Sequence, residues 1–212
     1  VLLALWIVGV MPISARPRAK RVVMIALDGI SVPGFTTAHT PNLDNLLAQG
    51  ALSLTTRVVM PSVTLPNWTS HLTGSGPEQH GVVDNGWQID KKGFPAVEID
   101  KEGYYPSVFK VMKEEIPECK TAFYYNWINL FYPYNKKYLD EVSYLENDAY
   151  VPNYEKAFDF IVRNQDLPTL VFLYSVHTDH AGHAHKWMSA EYIKSIEAVS
   201  YTHLRAHETL RH

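Results

Sequence analysis

The segment Lys20 to Ala26 (KRVVMIA) is an apolar, β-branched run that ends on Leu27-Asp28-Gly29. Its lack of polar alternation predicts a strand buried on both faces, whose carboxyl end presents Asp28 into a glycine turn. Thr40-Pro41-Asn42 then opens an apolar pattern at Leu43, Leu46 and Leu47 that stops at Gly50. Thr as cap, Pro in the first turn and Gly beyond the end predict a short helix. From Ala51 to Val59 the β propensity returns and predicts a strand. Pro61-Ser62-Val63-Thr64 leads into a short helix over Pro66 to Leu72, with Pro66 at a first helical position. That placement sets Thr64 at or beside the helix N-terminus. Val108 to Ile116 predicts a helix ended by Pro117, and Lys120 to Trp127 a strand. Tyr154 to Asn164 is amphipathic, with Phe158, Ile161 and Val162 as its apolar side. Leu167 to Val176 (LPTLVFLYSV) has the continuous apolar character of a buried parallel strand, and ends on a His-rich turn. Strands alternating with helices predict an α/β sandwich with a largely parallel sheet, whose sites gather at the carboxyl ends of strands.

Composition narrows this picture at the two ends. The chain has 212 residues and a formal net charge of -3, with Lys and Arg spread along it, so no track for a nucleic-acid backbone is expected. The lone Cys119 excludes an internal disulfide framework and a Cys-rich zinc site. Val1 to Ala15 is uncharged and is followed by Arg16, Arg18, Lys20 and Arg21. Residues 1–19 are therefore expected to be a secretory signal with Ala15 as a cleavage position, or an uncleaved membrane anchor, and the destination secreted or periplasmic. Residues 20–198 are expected to form the folded part that carries these elements. From Val199 the chain reads VSYTHLRAHETLRH with no apolar period continuing the preceding helix. That stretch resembles the translated read-through of a sequencing-library adapter, so 199–212 are expected to be an artefact, and the four-residue spacing of His203 and His207 is not read as a metal motif.

Chemistry concentrates where strands are expected to end. Asp28, the Pro61–Thr64 turn, and the segment HTDHAGHAH from His177 to His185 all fall there. Four histidines and an Asp directly after an apolar strand suit a metal of the zinc type, and Asp179 with His183 four residues later can reach one ion. Blander roles exist for each: Asp28 as a turn residue, Thr64 as a helix cap, His71 and His80 as structural histidines. Asn67-Trp68-Thr69 matches a glycosylation acceptor, read as chance because a glycan there would obstruct Thr64. The Tyr- and Trp-rich stretch from Gly86 to Tyr154 is expected to be core and rim packing, with aromatic faces that could stack a nucleobase.

Four segments together carry a resemblance: VVMIALDGI, TPNLDNLLAQGA, MPSVTLPNWTSHLTGSGPEQHGVVDN and TDHAGHAHKWMSAEY. In that order they resemble the nucleotide pyrophosphatase and type I phosphodiesterase branch of the alkaline phosphatase superfamily. The resemblance implies a three-layer α/β sandwich of the alkaline-phosphatase kind. It implies two divalent metal ions, zinc foremost, with Asp28 and Thr64 on one and Asp179 and His183 on the other. Thr64 is then the nucleophile, and Asn85 the donor to a phosphate oxygen. The implied reaction is hydrolysis of a phosphodiester or pyrophosphate in a small phosphorylated substrate such as a nucleotide, through a phospho-threonine. A phosphomonoesterase and a non-catalytic binding domain are the alternatives. Such a site also needs a later Asp-His pair and one further His, and neither follows Lys186 before the suspect tail. The chain is therefore expected to be an N-terminal part, with a sheet incomplete at its C-terminus, weak in metal binding and inactive alone.

Overall fold

The computed structural model describes residues 20–91 and 93–209, with side chains up to Tyr201. The expected leader, residues 210–212 and the side chains of His203 and His207 lie outside the described residues. The apolar runs become strands β1 (Arg21–Leu27), β2 (Lys120–Tyr125), β3 (Glu141–Tyr144) and β4 (Thr169–Ser175). They form one wholly parallel sheet in the order β1-β4-β2-β3. The most continuously apolar segment thus takes a central position, since every residue of β4 is buried.

Alternation along β4 splits the core in two. Leu170, Phe172 and Tyr174 pack with Leu65 and Leu72 of helix α3 (Thr64–Thr73) and Phe109 of α5 (Val108–Glu115). Val171 and Leu173 face the other way, onto Tyr154, Ala157 and Ile161 of α6 (Tyr150–Arg163). Helices therefore cover both faces, giving the three layers expected. Short helices α1 (Val32–Thr37), α2 (Pro41–Leu47) and α4 (Pro77–His80) lie in the long β1–β2 connection. Helices α7 (His177–His185) and α8 (Ala190–Thr209) come after β4.

Several expectations are corrected. β1 lies at an edge of the described sheet and is only half covered, with Val22 45% and Ile25 42% exposed. Residues 51–59 form no strand: no neighbouring strand among the described residues offers a ladder, and propensity alone does not make one. The backbone N–H and C=O of Val59 bond the side chain of Asn67 instead, at 2.8 and 3.4 Å. Thr40 caps α2 by position, but its hydroxyl donates to Asp44 Oδ1 (3.2 Å) rather than accepting a helix N–H. On α6 the buried face is offset by one residue: Ala157, Phe160 and Ile161 are buried while Val162 is 47% exposed. The helix starts four residues earlier than expected, and Tyr150 and Tyr154 set the phase of the face that meets the sheet. The His-rich segment is a helix, not a turn. α8 runs on to Thr209, and Val199 lies three residues after Ile196 and seven after Tyr192, on the same buried face.

The aromatic middle of the chain is core. Phe123, Tyr125, Phe131, Tyr134 and Phe109 form one network of ring contacts at centroid distances of 5.2–6.4 Å. His80 is structural as expected: it is buried, its Nδ1 accepts from the Val82 N–H (3.1 Å), and Nε2 faces Ser70 Oγ (3.0 Å). Burial pushes its pKa down to about 4, so the folded state keeps the ring neutral. The unfolded chain binds that proton near pH 6.5, so stability falls as pH drops from about 6.5 toward 4. The thermal midpoint is expected to decline across that window and to flatten in His80→Gln. An unchanged slope in the variant removes His80 as the cause.

Candidate functional site

Adjacent parallel strands end side by side, so the turn after β1 must meet the turn after β4. Leu27 pairs with Ser175, and the Asp28 N–H donates to Ser175 O (2.9 Å), extending the ladder by one bond. Asp28 then stands beside the first turn of α7, which carries Asp179. Gly29 makes this approach possible. It adopts φ 73°, and a Cβ there would sit 2.5 Å from Asp179 Cα. The Thr178 hydroxyl donates to the Asp28 carbonyl and ties the two turns together.

Two carboxylates are thereby held close. Burial raises the pKa of Asp28 and the charge of Asp179 adds to it, while hydrogen bonds pull the other way. Tyr174 donates to Asp28 Oδ2 (2.5 Å) and the Gly29 N–H to Oδ1 (3.0 Å). Tyr174 itself is raised well above its ordinary pKa by burial and by Asp28, so it keeps its proton and remains a donor. On the next turn of α7, His183 Nε2 stands 3.6 Å from Asp179 Oδ1, its side chain 71% exposed.

Thr64 is the first residue of α3, two positions earlier than Pro66 suggests. The first-turn N–H groups of a helix have no intrahelical partner. Here the Leu65 N–H donates to Asn85 Oδ1 (2.7 Å), whereas the N–H and hydroxyl of Thr64 have no hydrogen-bond partner among the described residues. Because Leu65 fixes the amide oxygen, the Asn85 Nδ2 group is the one left to donate. The backbone of Asn85 is held by Asn129, whose Nδ2 donates to its carbonyl (2.9 Å).

All five residues singled out from sequence line one open cavity of about 640 Å³: Asp28, Thr64, Asn85, Asp179 and His183. The other histidines of α7 are not part of it. His177 and His180 turn to Asp148, with Nδ1 at 3.4 and 2.6 Å from its carboxylate oxygens. The cavity also holds Arg57, Trp68 and Trp187, to which sequence reasoning gives no site role, and His71, which it reads as structural. His71 had a usable signal, since it lies seven residues after Thr64 and shares its helix face. Its Nδ1 bonds the carbonyl of Asn67 (2.8 Å). Asn67 donates to the carbonyls of Pro61 and Val63 and is 9% exposed, so its amide is closed to glycosylation.

In type, these donors suit a divalent cation: two carboxylates whose charges repel, an imidazole and a hydroxyl facing one cavity. In number they fall short. Among the described residues no group of three or more His, Cys, Asp or Glu side chains is arranged to hold an ion.

Comparison with known proteins shows the family and the fold. The family model described as type I phosphodiesterase / nucleotide pyrophosphatase matches residues 22–203. A Schizosaccharomyces pombe protein named an uncharacterized pyrophosphatase/phosphodiesterase is 25% identical over 194 residues, covering 77% of this chain and 35% of that protein. Mouse ectonucleotide pyrophosphatase/phosphodiesterase family member 3 is 26% identical over 189 residues, covering 84% of this chain and 21% of the relative. The chain thus spans about a third or less of these curated relatives. Among solved structures, murine ectonucleotide pyrophosphatase/phosphodiesterase 5, as an inactive Thr-to-Ala variant in complex with AMP, superposes with a TM-score of 0.71. Identity there is 17%, with 90% of this chain and 52% of that one covered, which shows a common fold.

Proposed function

Since the chain belongs to the type I phosphodiesterase / nucleotide pyrophosphatase family, we propose that its cavity is part of a site that hydrolyses phosphodiester or pyrophosphate bonds in small nucleotide-type substrates. The observation that carries this reading is the convergence of an unpartnered Thr64 hydroxyl, at the start of α3, with the fixed amide of Asn85. The Thr64 oxygen attacks phosphorus as the bond from phosphorus to the leaving-group oxygen breaks, and the proton that Thr64 loses ends on that departing oxygen. Water then hydrolyses the phospho-threonine. The free Thr64 N–H and the Asn85 Nδ2 group donate to the phosphoryl oxygens as negative charge builds there. Two divalent ions, zinc by donor type, would be held in part by Asp28 with Thr64 and by Asp179 with His183, and would supply stabilisation of the alkoxide and of the transferring phosphoryl group.

The donors among the described residues do not complete either ion's shell, so we propose that the remaining ones come from a longer protein and that the 212 residues alone are inactive. Export of that protein is proposed on the leader at 1–19; among the described residues no helix is long and apolar enough to cross a membrane. The test is turnover of bis-p-nitrophenyl phosphate against p-nitrophenyl phosphate, with metal content, for the full gene product and for the 212-residue chain. The expected result is zinc in the full product, diester preference, and no turnover by the chain alone. Monoester preference selects the phosphatase reading. Absence of both metal and turnover in the full product, unchanged by Thr64→Ala, selects a binding domain.

Asn85→Asp sharpens the test, because it keeps an oxygen for the Leu65 N–H and replaces the outward donor with an anionic oxygen that repels the phosphoryl group. Turnover in the full product is expected to fall about a hundredfold or more with little loss of stability. A variant of unchanged rate would remove Asn85 from the chemistry.

A further inference from the structure

His183 is exposed and lies at the end of a helix, yet the proposed site needs its ring held. The contact that holds it is Trp187. The two rings meet edge to face at a centroid distance of 5.4 Å and an interplanar angle of 68°. On its other side Trp187 meets Tyr192 at 5.3 Å and 78°. Tyr192 is an anchor: it is fully buried, its hydroxyl donates to Gly29 O (2.7 Å), and it accepts from the Ser31 N–H (2.9 Å). The indole is therefore braced against the same turn that positions Asp28.

Two further observations show that this placement is imposed. The residues on either side of Trp187 are left-handed without being glycine, Lys186 at φ 75° and Met188 at φ 68°. Each such conformation costs on the order of 1–3 kcal/mol and persists only where the surroundings enforce it. Beneath the ring lies Gly182, where a Cβ would meet Trp187 Cζ3 at 2.2 Å. The indole thus sits flat on the α7 backbone, one residue before His183. Trp187 stays 48% exposed on the cavity rim, so its ring is held on one side only, over Gly182 and against Tyr192.

We propose that Trp187 is a positioning residue: it orders the His183 imidazole toward Asp179, and thereby sets the metal affinity of that half of the site. The effect on metal affinity rests on the metal reading above; the ordering of the ring does not. Outer-shell hydrogen-bond partners that orient a ligand are typically worth 10–100-fold in metal affinity, and an edge-to-face ring contact is expected at the low end of that range.

Two readouts separate ring ordering from metal affinity. In the metal-free full gene product, the His183 ring protons observed by NMR are expected to be displaced from exposed-histidine values by the indole ring current. Trp187→Ala should return them to those values, and Trp187→Phe should keep part of the displacement. Gly182→Ala should act like Trp187→Ala although both rings remain, because the new methyl unseats the indole. That substitution raises helix propensity in α7, so loss of fold does not explain the effect. Zinc titration of the full gene product by calorimetry is expected to show about tenfold weaker binding in Trp187→Ala and Gly182→Ala, with rescue by Phe. His183 resonances indifferent to all three substitutions overturn the positioning role. Resonances that respond while zinc affinity does not move overturn the effect on affinity and leave the ordering standing. A full product that binds no zinc at all overturns the metal reading itself, and the NMR result then stands alone.

Discussion

Thr64→Ala is expected to lower turnover by the full gene product at least about a thousandfold while leaving the melting temperature nearly unchanged. The two halves of that result have separate causes. Thr64 is half-buried at the first position of α3 and its hydroxyl has no partner among the described residues, so its removal strands no buried group. Alanine is also the better helix former, and substitutions of this kind usually stay within about ±0.5 kcal/mol. The chemistry, by contrast, loses the only atom proposed to bond phosphorus. Thr64→Ser restores a hydroxyl without the methyl and is expected to recover part of the rate. A measured rate in Thr64→Ala within tenfold of the parent would exclude a phospho-threonine.

The second large effect is on the fold. Gly29→Ala places a methyl 2.5 Å from Asp179 Cα and 2.8 Å from Asp179 N, and backbone atoms at the start of a helix cannot step aside as a side-chain tip can. The left-handed φ of 73° adds its own cost of about 1–2 kcal/mol. Overpacking adds roughly 1–3 kcal/mol, a large fraction of the 5–15 kcal/mol that holds a typical domain together. Gly74→Ala is the matched control. It shares the left-handed backbone, at φ 69°, but has open space where its methyl would go. The urea midpoint is expected to fall for both and clearly further for Gly29→Ala. Equal losses would mean that α7 does not need this close approach to β1. Where Gly29→Ala does fold, Asp28 and Asp179 are pushed apart, and metal affinity in the full product should fall with them.

Much of this was legible along the chain. β4 announces itself as an uncharged apolar run, and its centrality follows from having no face that tolerates water. Asp28 and Thr64 were placed near element boundaries by Gly29 and by Pro66, although α3 begins at Thr64 itself. Other features were illegible for definite reasons. Residues 51–59 have strand propensity, but a strand exists only with a partner, and pairing is not a local property. The phase of α6 was misread because Tyr150 and Tyr154, before the expected start or at its edge, choose which face meets the sheet. The pairing of His180 with Asp148 joins positions 32 apart, with α6 and β4 between them, so it depends on how those elements pack.

The sequence by itself determined which residue types are available and that Asp28 and Thr64 lie near the ends of elements. Short-range physics accounts for this: apolar runs must be buried, and Gly and Pro punctuate them. It also determined, through the order of its motifs, the family to which the chain belongs. Only the tertiary structure decided that Asp28 and Asp179, 151 positions apart, stand side by side, because that depends on β1 pairing with β4 rather than β2. Only the structure showed that Leu65 fixes the amide of Asn85, and that Trp187 braces His183 against Tyr192. These are contacts between elements, set by strand order and by close approaches at Gly29 and Gly182, and no local pattern of residues encodes them.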